Sequence, residues 1–211
     1  VPDFTTAAIV GAGVAGLACA QDLQAAGVRV TVYEKARGPG GRTSTRRDGL
    51  LRFDHGAQVL DANALRGTQA AHLLAAWSPR RDGDLQAGRP LGVVPVPSMS
   101  TAARALSQGL DIHPLTHVQP LRPRADGGAS LYTADVELPD ADRVIVAAPA
   151  PQAAALLQRV APTMAAEAAT VQYTPCWAVM VAWSDPLHLA IDVHDDPEDD
   201  LAWAAAQASR P

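Results

Sequence analysis

A short apolar run, Ala7 to Val10, leads directly into Gly11-Ala12-Gly13-Val14-Ala15-Gly16, and an acidic residue, Glu34, stands eighteen positions after Gly16. The spacing predicts a strand over Ala7–Val10, a tight turn, a helix over Val14–Ala26 closed by Gly27, and a second strand over Val28–Tyr33 ending at a carboxylate. Each glycine has a physical task in such a unit. Gly11 lets the chain turn out of the strand. Gly13 leaves the first helical N–H groups, at Val14 and Ala15, open to an anion. Gly16 lets helix and strand approach, and small Ala20 suits the same contact. Unpaired N–H groups and the positive end of the helix dipole favour phosphate. Glu34 can accept hydrogen bonds from both hydroxyls of a ribose and repels a 2′-phosphate. The pattern is that of a dinucleotide site for a molecule with a free ribose.

The next segment adds a second anion-seeking feature. Arg37-Gly38-Pro39-Gly40-Gly41-Arg42-Thr43 supplies more free backbone and a guanidinium able to grip phosphate with two donors. With Lys35, Arg46 and Arg47 it is the most basic stretch of an acidic chain. Phe53-Asp54-His55-Gly56-Ala57-Gln58 then brings polar side chains around another glycine.

These segments resemble flavoproteins of the amine oxidase superfamily, in which a GGR motif lies under the pyrophosphate of FAD. ARGPGGRTSTRR followed by FDHGAQ, with VPVPSMS at 94–100, DRVIVAAPAPQAAALL at 142–157 and CWAVMVAW at 176–183, resembles the renalase family of flavin oxidoreductases. The resemblance implies FAD as cofactor, held by Gly11, Gly13, Val14, Ala15, Gly16, Glu34, Lys35, Arg37, Gly41, Arg42 and Thr43. It implies that Gly56, Ala57 and Gln58 approach the flavin ring, that a strand near Val118 pairs with adenine through its backbone, and that the turn at Ala148 passes close by. His55, Gln58 and Trp203 are its candidates for a catalytic role.

The implied reaction is hydride transfer from a misreduced isomer of NAD(P)H, a small dihydronicotinamide, to flavin N5. O2 then reoxidises the flavin and gives H2O2. The protein orients and the cofactor reacts. Two alternatives stay open: an amine or polyene oxidase of the same superfamily, and a non-catalytic nucleotide-binding fragment. The single lysine, Lys35, is placed beside the ribose carboxylate, which disfavours the amine oxidases that keep a lysine near the ring.

At 211 residues, 48% hydrophobic and 18% charged, the chain can bury a substantial core. A net charge of −5 gives no general attraction to nucleic acid or an anionic membrane. No apolar run is long enough to span a bilayer, and the N-terminus lacks a secretory pattern. Two cysteines make no disulfide framework, so a cytoplasmic setting is expected. Asp192 to Asp200, with His194, reads as a solvated acidic loop, and no metal is expected.

The expected fold class is α/β. It comprises a Rossmann-like FAD-binding domain with a parallel sheet and a β-meander over 1–62 and 98–159, and part of an antiparallel-sheet substrate domain over 63–97 and 160–211. Further expected elements are helices over 62–77, over 99–108 closed by Gly109, and from Pro149 to about 159. Strands are expected near 91–96, over 115–122 and 129–136 around an Asp-Gly-Gly turn, over 144–147 buried on both faces, over 171–183 and over 201–207. Trp177, Trp183 and Trp203 are candidate pocket-lining residues. The resemblance also implies a later Gly-Asp segment that the sequence does not contain, and on that reading the chain is expected to be a fragment.

Overall fold

The computed structural model describes residues 2–61, 63–81 and 90–211. The chain divides into two compact units, residues 1–41 with 103–176, and residues 42–102 with 177–211.

The first unit is built on a four-stranded parallel sheet. Strand β1 (Thr6–Val10) pairs with β2 (Arg29–Tyr33) on one side and with the strand Arg143–Val146 on the other, while Asp111–His113 pairs with the outer edge of β2. Parallel neighbours require a crossover, and helix α1 (Val14–Ala25) supplies the first one. α1 buries Gly16, Leu17 and Ala20. It ends where Gly27 enters the left-handed region at φ +87° and its N–H reaches the Gln24 carbonyl at 3.0 Å.

From β1 the chain moves outward through β2 to Asp111–His113, then returns to the opposite flank of β1. The order therefore reverses at β1, and the crevice beyond its carboxyl end is the place where such sheets bind ligands. The return strand is pinned at its start. The Asp142 carboxylate accepts the Thr5 and Thr6 N–H groups, both at 2.9 Å, and the Thr5 hydroxyl at 3.0 Å. Those donors hold the Asp142 carboxyl at about 2.

Ala8, Val10, Tyr33, Val118, Leu121, Leu131 and Leu156 form one core cluster of this unit. Leu156 arrives on the helix Ala150–Leu157, which Pro149 and Pro151 open. A further helix, Pro162–Ala169, was not expected from the sequence.

Several expectations in this unit need correction. The apolar run at Val144–Val146 is half-buried, because the strand has a described neighbour only on its β1 side. The two strands expected over 115–122 and 129–136 shrink to Arg122–Pro123 paired with Ala129–Ser130. Prolines at 120 and 123 remove ladder donors, and Leu115 sits at φ +57°, so a long ladder cannot run there. Val118 consequently lies in no strand, although it is buried.

The second unit consists of antiparallel two-stranded ribbons: Thr45–Asp48 with Leu51–Asp54, Leu74–Trp77 with Gly92–Pro95, and Val193–Asp195 with Trp203–Ala205. Trp77, Val94, Met99 and Val193 form its core, with Trp203 packed against them. The helix expected over 62–77 does not form. Residue 62 lies outside the described residues, Gly67 takes φ +80°, and Leu74–Trp77 is a strand. Part of the segment 78–97, residues 82–89, likewise lies outside them. The helix expected over 99–108 is shorter, Ser100–Leu106, and the boundary between the units falls within it.

No strand forms over 171–183. Val179 and Trp183 are exposed, because alternation alone builds no ladder without a neighbouring edge. The strand expected over 201–207 is confined to Trp203–Ala205, and its partner Val193–Asp195 arises from the segment read as a solvated loop.

Candidate functional site

The glycine turn sits at the carboxyl end of β1, and its three glycines meet different surroundings. Gly11 has φ +112°, and a Cβ there would lie 2.8 Å from the Ala147 carbonyl oxygen. At Gly16 a Cβ would lie 2.1 Å from the Gly11 carbonyl oxygen and 3.1 Å from the Ala147 Cβ. Both positions are closed by protein. Gly13 is the reverse: a Cβ there would meet nothing within 4 Å. Gly13 is the N-cap of α1 with no side-chain cap, and the first intrahelical bond runs from the Leu17 N–H to the Gly13 carbonyl at 3.0 Å. The N–H groups of Val14, Ala15 and Gly16 thus precede the helical ladder and gather beside the open position.

The second glycine segment folds back onto the first. The Gly40 N–H donates to the Ala12 carbonyl at 2.9 Å, and Gly13 and Gly40 form an isolated parallel bridge. Gly41, at φ +53°, would bring a Cβ within 3.4 Å of the Gly13 Cα. Lys35 and Arg37 are exposed next to this loop in sequence, and the Lys35 ammonium donates to the Gln152 side chain at 3.1 Å. Ala148 follows Ala147, whose N–H donates to the Val10 carbonyl at 2.9 Å, so that turn does reach the end of β1.

Glu34 is buried rather than held out at a strand tip. One carboxylate oxygen accepts the Ala12 N–H and the other the Ala36 N–H, both at 2.8 Å. The residue expected to bind ribose is therefore also the clamp that joins the end of β2 to the glycine turn. Each oxygen keeps a further lone pair for a hydroxyl donor. Val118 is buried, and among the described residues its backbone N–H and C=O take no hydrogen bond.

The remaining expected residues belong to the second unit. Arg42 is exposed and Thr43 is buried. Gly56 is required by protein, since a Cβ there would lie 2.1 Å from the Arg42 carbonyl oxygen, which also accepts the Ala57 N–H at 2.9 Å. His55 is exposed, with Nδ1 3.5 Å from the Phe53 carbonyl.

The hub of this unit is Asp54. Its carboxylate accepts the Thr45 hydroxyl at 2.6 Å, the Met99 N–H at 3.2 Å and the Arg210 guanidinium at 3.1 Å. Arg210 also donates to the Gln58 carbonyl at 2.9 Å and to its side-chain oxygen at 2.7 Å, and lies 4.5 Å from the centre of the Trp77 ring. Burial pulls the Arg210 pKa down and Asp54 opposes that pull. Gln58 is thereby committed to an internal network. Trp203 keeps its buried indole N–H without a partner among the described residues. Nothing in the sequence announces Arg210, because its contact with Asp54 closes over 156 positions.

Among the described residues no group of three or more His, Cys, Asp or Glu side chains is placed to hold a metal, and no helix is long and apolar enough to cross a membrane.

Residues 9–77 match the family model described as an NAD(P)-binding Rossmann-like domain. The fold is Rossmann-like. Phytoene dehydrogenase of Streptomyces griseus is 52% identical over 52 residues, which is 25% of this chain and 10% of that protein. An oxidoreductase from Methanosarcina mazei superposes with a TM-score of 0.60 at 16% identity, covering 80% of this chain and 66% of that one. A putrescine oxidase bound to putrescine superposes with a TM-score of 0.54 at 16% identity, covering 70% and 58%. The chain thus spans a tenth of the curated relative and less than two thirds of each of these solved chains. At such identities the solved structures bear on the Rossmann-like fold alone.

Proposed function

We propose that the chain holds FAD against its glycine turn as part of a flavin oxidoreductase of the amine oxidase and phytoene dehydrogenase kind. The observation that carries this reading is the contrast among the glycines. Gly11 and Gly16 are filled by protein, whereas Gly13, faced by Gly41 and flanked by free helical N–H groups, is open. That is the fit a pyrophosphate requires.

Gly11, Gly13, Val14, Ala15, Gly16 and Gly41 would cradle the phosphates, Glu34 the ribose, and the unclaimed Val118 backbone the adenine. Lys35 and Arg37 add positive charge, and Ala148 borders the end of β1. Phytoene dehydrogenase and putrescine oxidase, among the relatives, are named for redox activities. The chemistry FAD supplies when bound is two-electron acceptance from a donor and discharge of those electrons onto O2, giving H2O2. The proposed donor is a dihydronicotinamide isomer, a choice resting on the renalase-like motifs. Hydride loss from such a donor needs no acid–base pair, which accords with a turn made of backbone and small residues.

A second reading, an amine or polyene oxidase, is favoured by the identity with phytoene dehydrogenase. Anaerobic titration of the FAD-loaded chain separates them. Bleaching of the flavin by dihydronicotinamide isomers supports the first reading, and bleaching only by amines or polyenes supports the second. A colourless chain that binds ADP would be a nucleotide-binding module, and one that binds neither FAD nor ADP would overturn the proposal.

A further inference from the structure

The ribbon Thr45–Asp48 with Leu51–Asp54 ends in a tip that the nucleotide site does not use. Gly49 turns the chain at φ +55°, and behind it Leu50 is fully exposed, at 100%, with Leu51 at 46%. Leu50 touches no core. Arg46, Arg47 and Arg52, all exposed, back the two leucines, and among the described residues none of the three forms an ion pair. Arg47 and Arg52 are direct cross-strand partners. Like charges placed opposite each other destabilise a ribbon, so this arrangement costs stability unless an external anion relieves it. Asp54, at the ribbon's base, is buried and already neutralised by Arg210. Asp48 is thus the one exposed carboxylate set against three arginines.

We infer that this hairpin tip docks the chain onto a bilayer surface carrying anionic lipid, with Leu50 and Leu51 below the headgroups and the arginines at the phosphates. The occupant follows from the pairing of chemistries. A projecting aliphatic tip calls for a soft apolar phase, and guanidinium groups just behind it call for a plane of anions above that phase. The whole chain, at −5, is repelled by such a surface, so docking depends on this local reversal of charge. Each leucine leaving water strengthens partitioning by at least about tenfold. Each arginine at an anionic surface adds about fivefold. The inference is independent of which donor the flavin accepts.

The test is co-sedimentation of the 211-residue chain with vesicles of phosphatidylcholine alone or mixed with phosphatidylserine. Binding is expected only to the mixed vesicles, and high salt should weaken it. Leu50→Ser/Leu51→Ser should lose about a hundredfold or more, and Arg47→Gln/Arg52→Gln about twenty-five-fold. If the double serine variant does not fold by circular dichroism, Leu50→Ala, which alters a side chain in solvent, should still lose roughly tenfold. Equal binding to both vesicles would overturn the inference, as would no binding to either. Binding undiminished by the leucine variants would do the same and would point to the exposed Val179 and Trp183 instead. Capture by immobilised polyglutamate without vesicle binding would replace the lipid with an acidic protein and equally overturn it.

Discussion

Gly16 and Gly13 lie three residues apart, yet adding one methyl group to each should produce opposite failures. At Gly16 the new Cβ would sit 2.1 Å from the Gly11 carbonyl oxygen, where real Cβ atoms keep at least 3.0 Å, so some backbone must move by about 0.9 Å. Gly11 cannot yield easily. Its own φ of +112° and the Ala147 carbonyl hold it from the far side. Alanine gains up to about 1 kcal/mol of helix propensity. Overpacking of this kind costs about 1–3 kcal/mol and occasionally more, and rigid backbone on both sides argues for the upper end. Gly16→Ala should therefore lose about 1–2 kcal/mol net, seen as a lower urea midpoint by far-UV circular dichroism. Gly13→Ala adds its methyl to open space at φ −72°, which alanine adopts freely. Its stability should fall by no more than about 1 kcal/mol, through the poorer N-cap. FAD and ADP affinity, by titration calorimetry, should fall at least tenfold because the methyl occupies the anion's place. A Gly16→Ala protein as stable as the parent would refute the packing argument. Full nucleotide affinity in Gly13→Ala would refute the site.

Three other perturbations have directions fixed by the structure. Glu34→Gln replaces one acceptor with a donor facing a backbone N–H, so it should cost about 1.5–3 kcal/mol of stability as well as nucleotide affinity, checked by urea melts without ligand and then by calorimetry. Arg210→Ala strands the buried Asp54 carboxylate and should cost about 3–5 kcal/mol; pairing it with Asp54→Asn in a double-mutant cycle should recover part of that loss, and strict additivity would show that the pair is not coupled. Asp142, held at about 2 by the Thr5 and Thr6 donors, has a folded pKa below its usual 3.8. Its stabilising effect is therefore complete above about pH 4 and lost as pH falls towards 2. Asp126, held at about 2 by Arg124, titrates in the same window. Asp142→Asn should thus reduce, without abolishing, the stability lost between those pH values in acid titrations followed by circular dichroism.

The first strand, helix and second strand were legible because their signals are local: the apolar run, the glycines at 11, 13 and 16, and Gly27 at the helix end. The parallel partner of β1 at Arg143–Val146 was also legible as an apolar run, but its place at the flank of β1 was not, since strand order is a property of the whole sheet. Asp111–His113 escaped notice because a three-residue strand carrying Asp and His lacks an apolar signature. Leu65, Leu73, Leu74 and Trp77 suggested a helix through their spacing, yet Ala75 and Ala76 instead pair with Val94 and Val93. At the site, Gly13 and Glu34 could be singled out from spacing. The second duty of Glu34, clamping Ala12 and Ala36, could not, because it depends on how closely β2 ends beside the turn. The internal network of Asp54 and Gln58 could not be read from sequence, because their partner, Arg210, is far along the chain.

Gly11 turns against the carbonyl of Ala147, and β1 is latched by Asp142, a residue 137 positions beyond Thr5. A ribosome adding about 5–20 residues each second needs roughly 7–27 seconds to deliver that counterpart. Throughout this interval the nascent segment holds its glycine turn with one wall absent. Completion of the crevice at the end of β1 is thus timed by translation of a distant stretch of message, and slowing elongation ahead of the Asp142 codon would lengthen the window in which chaperones meet an unfinished β1.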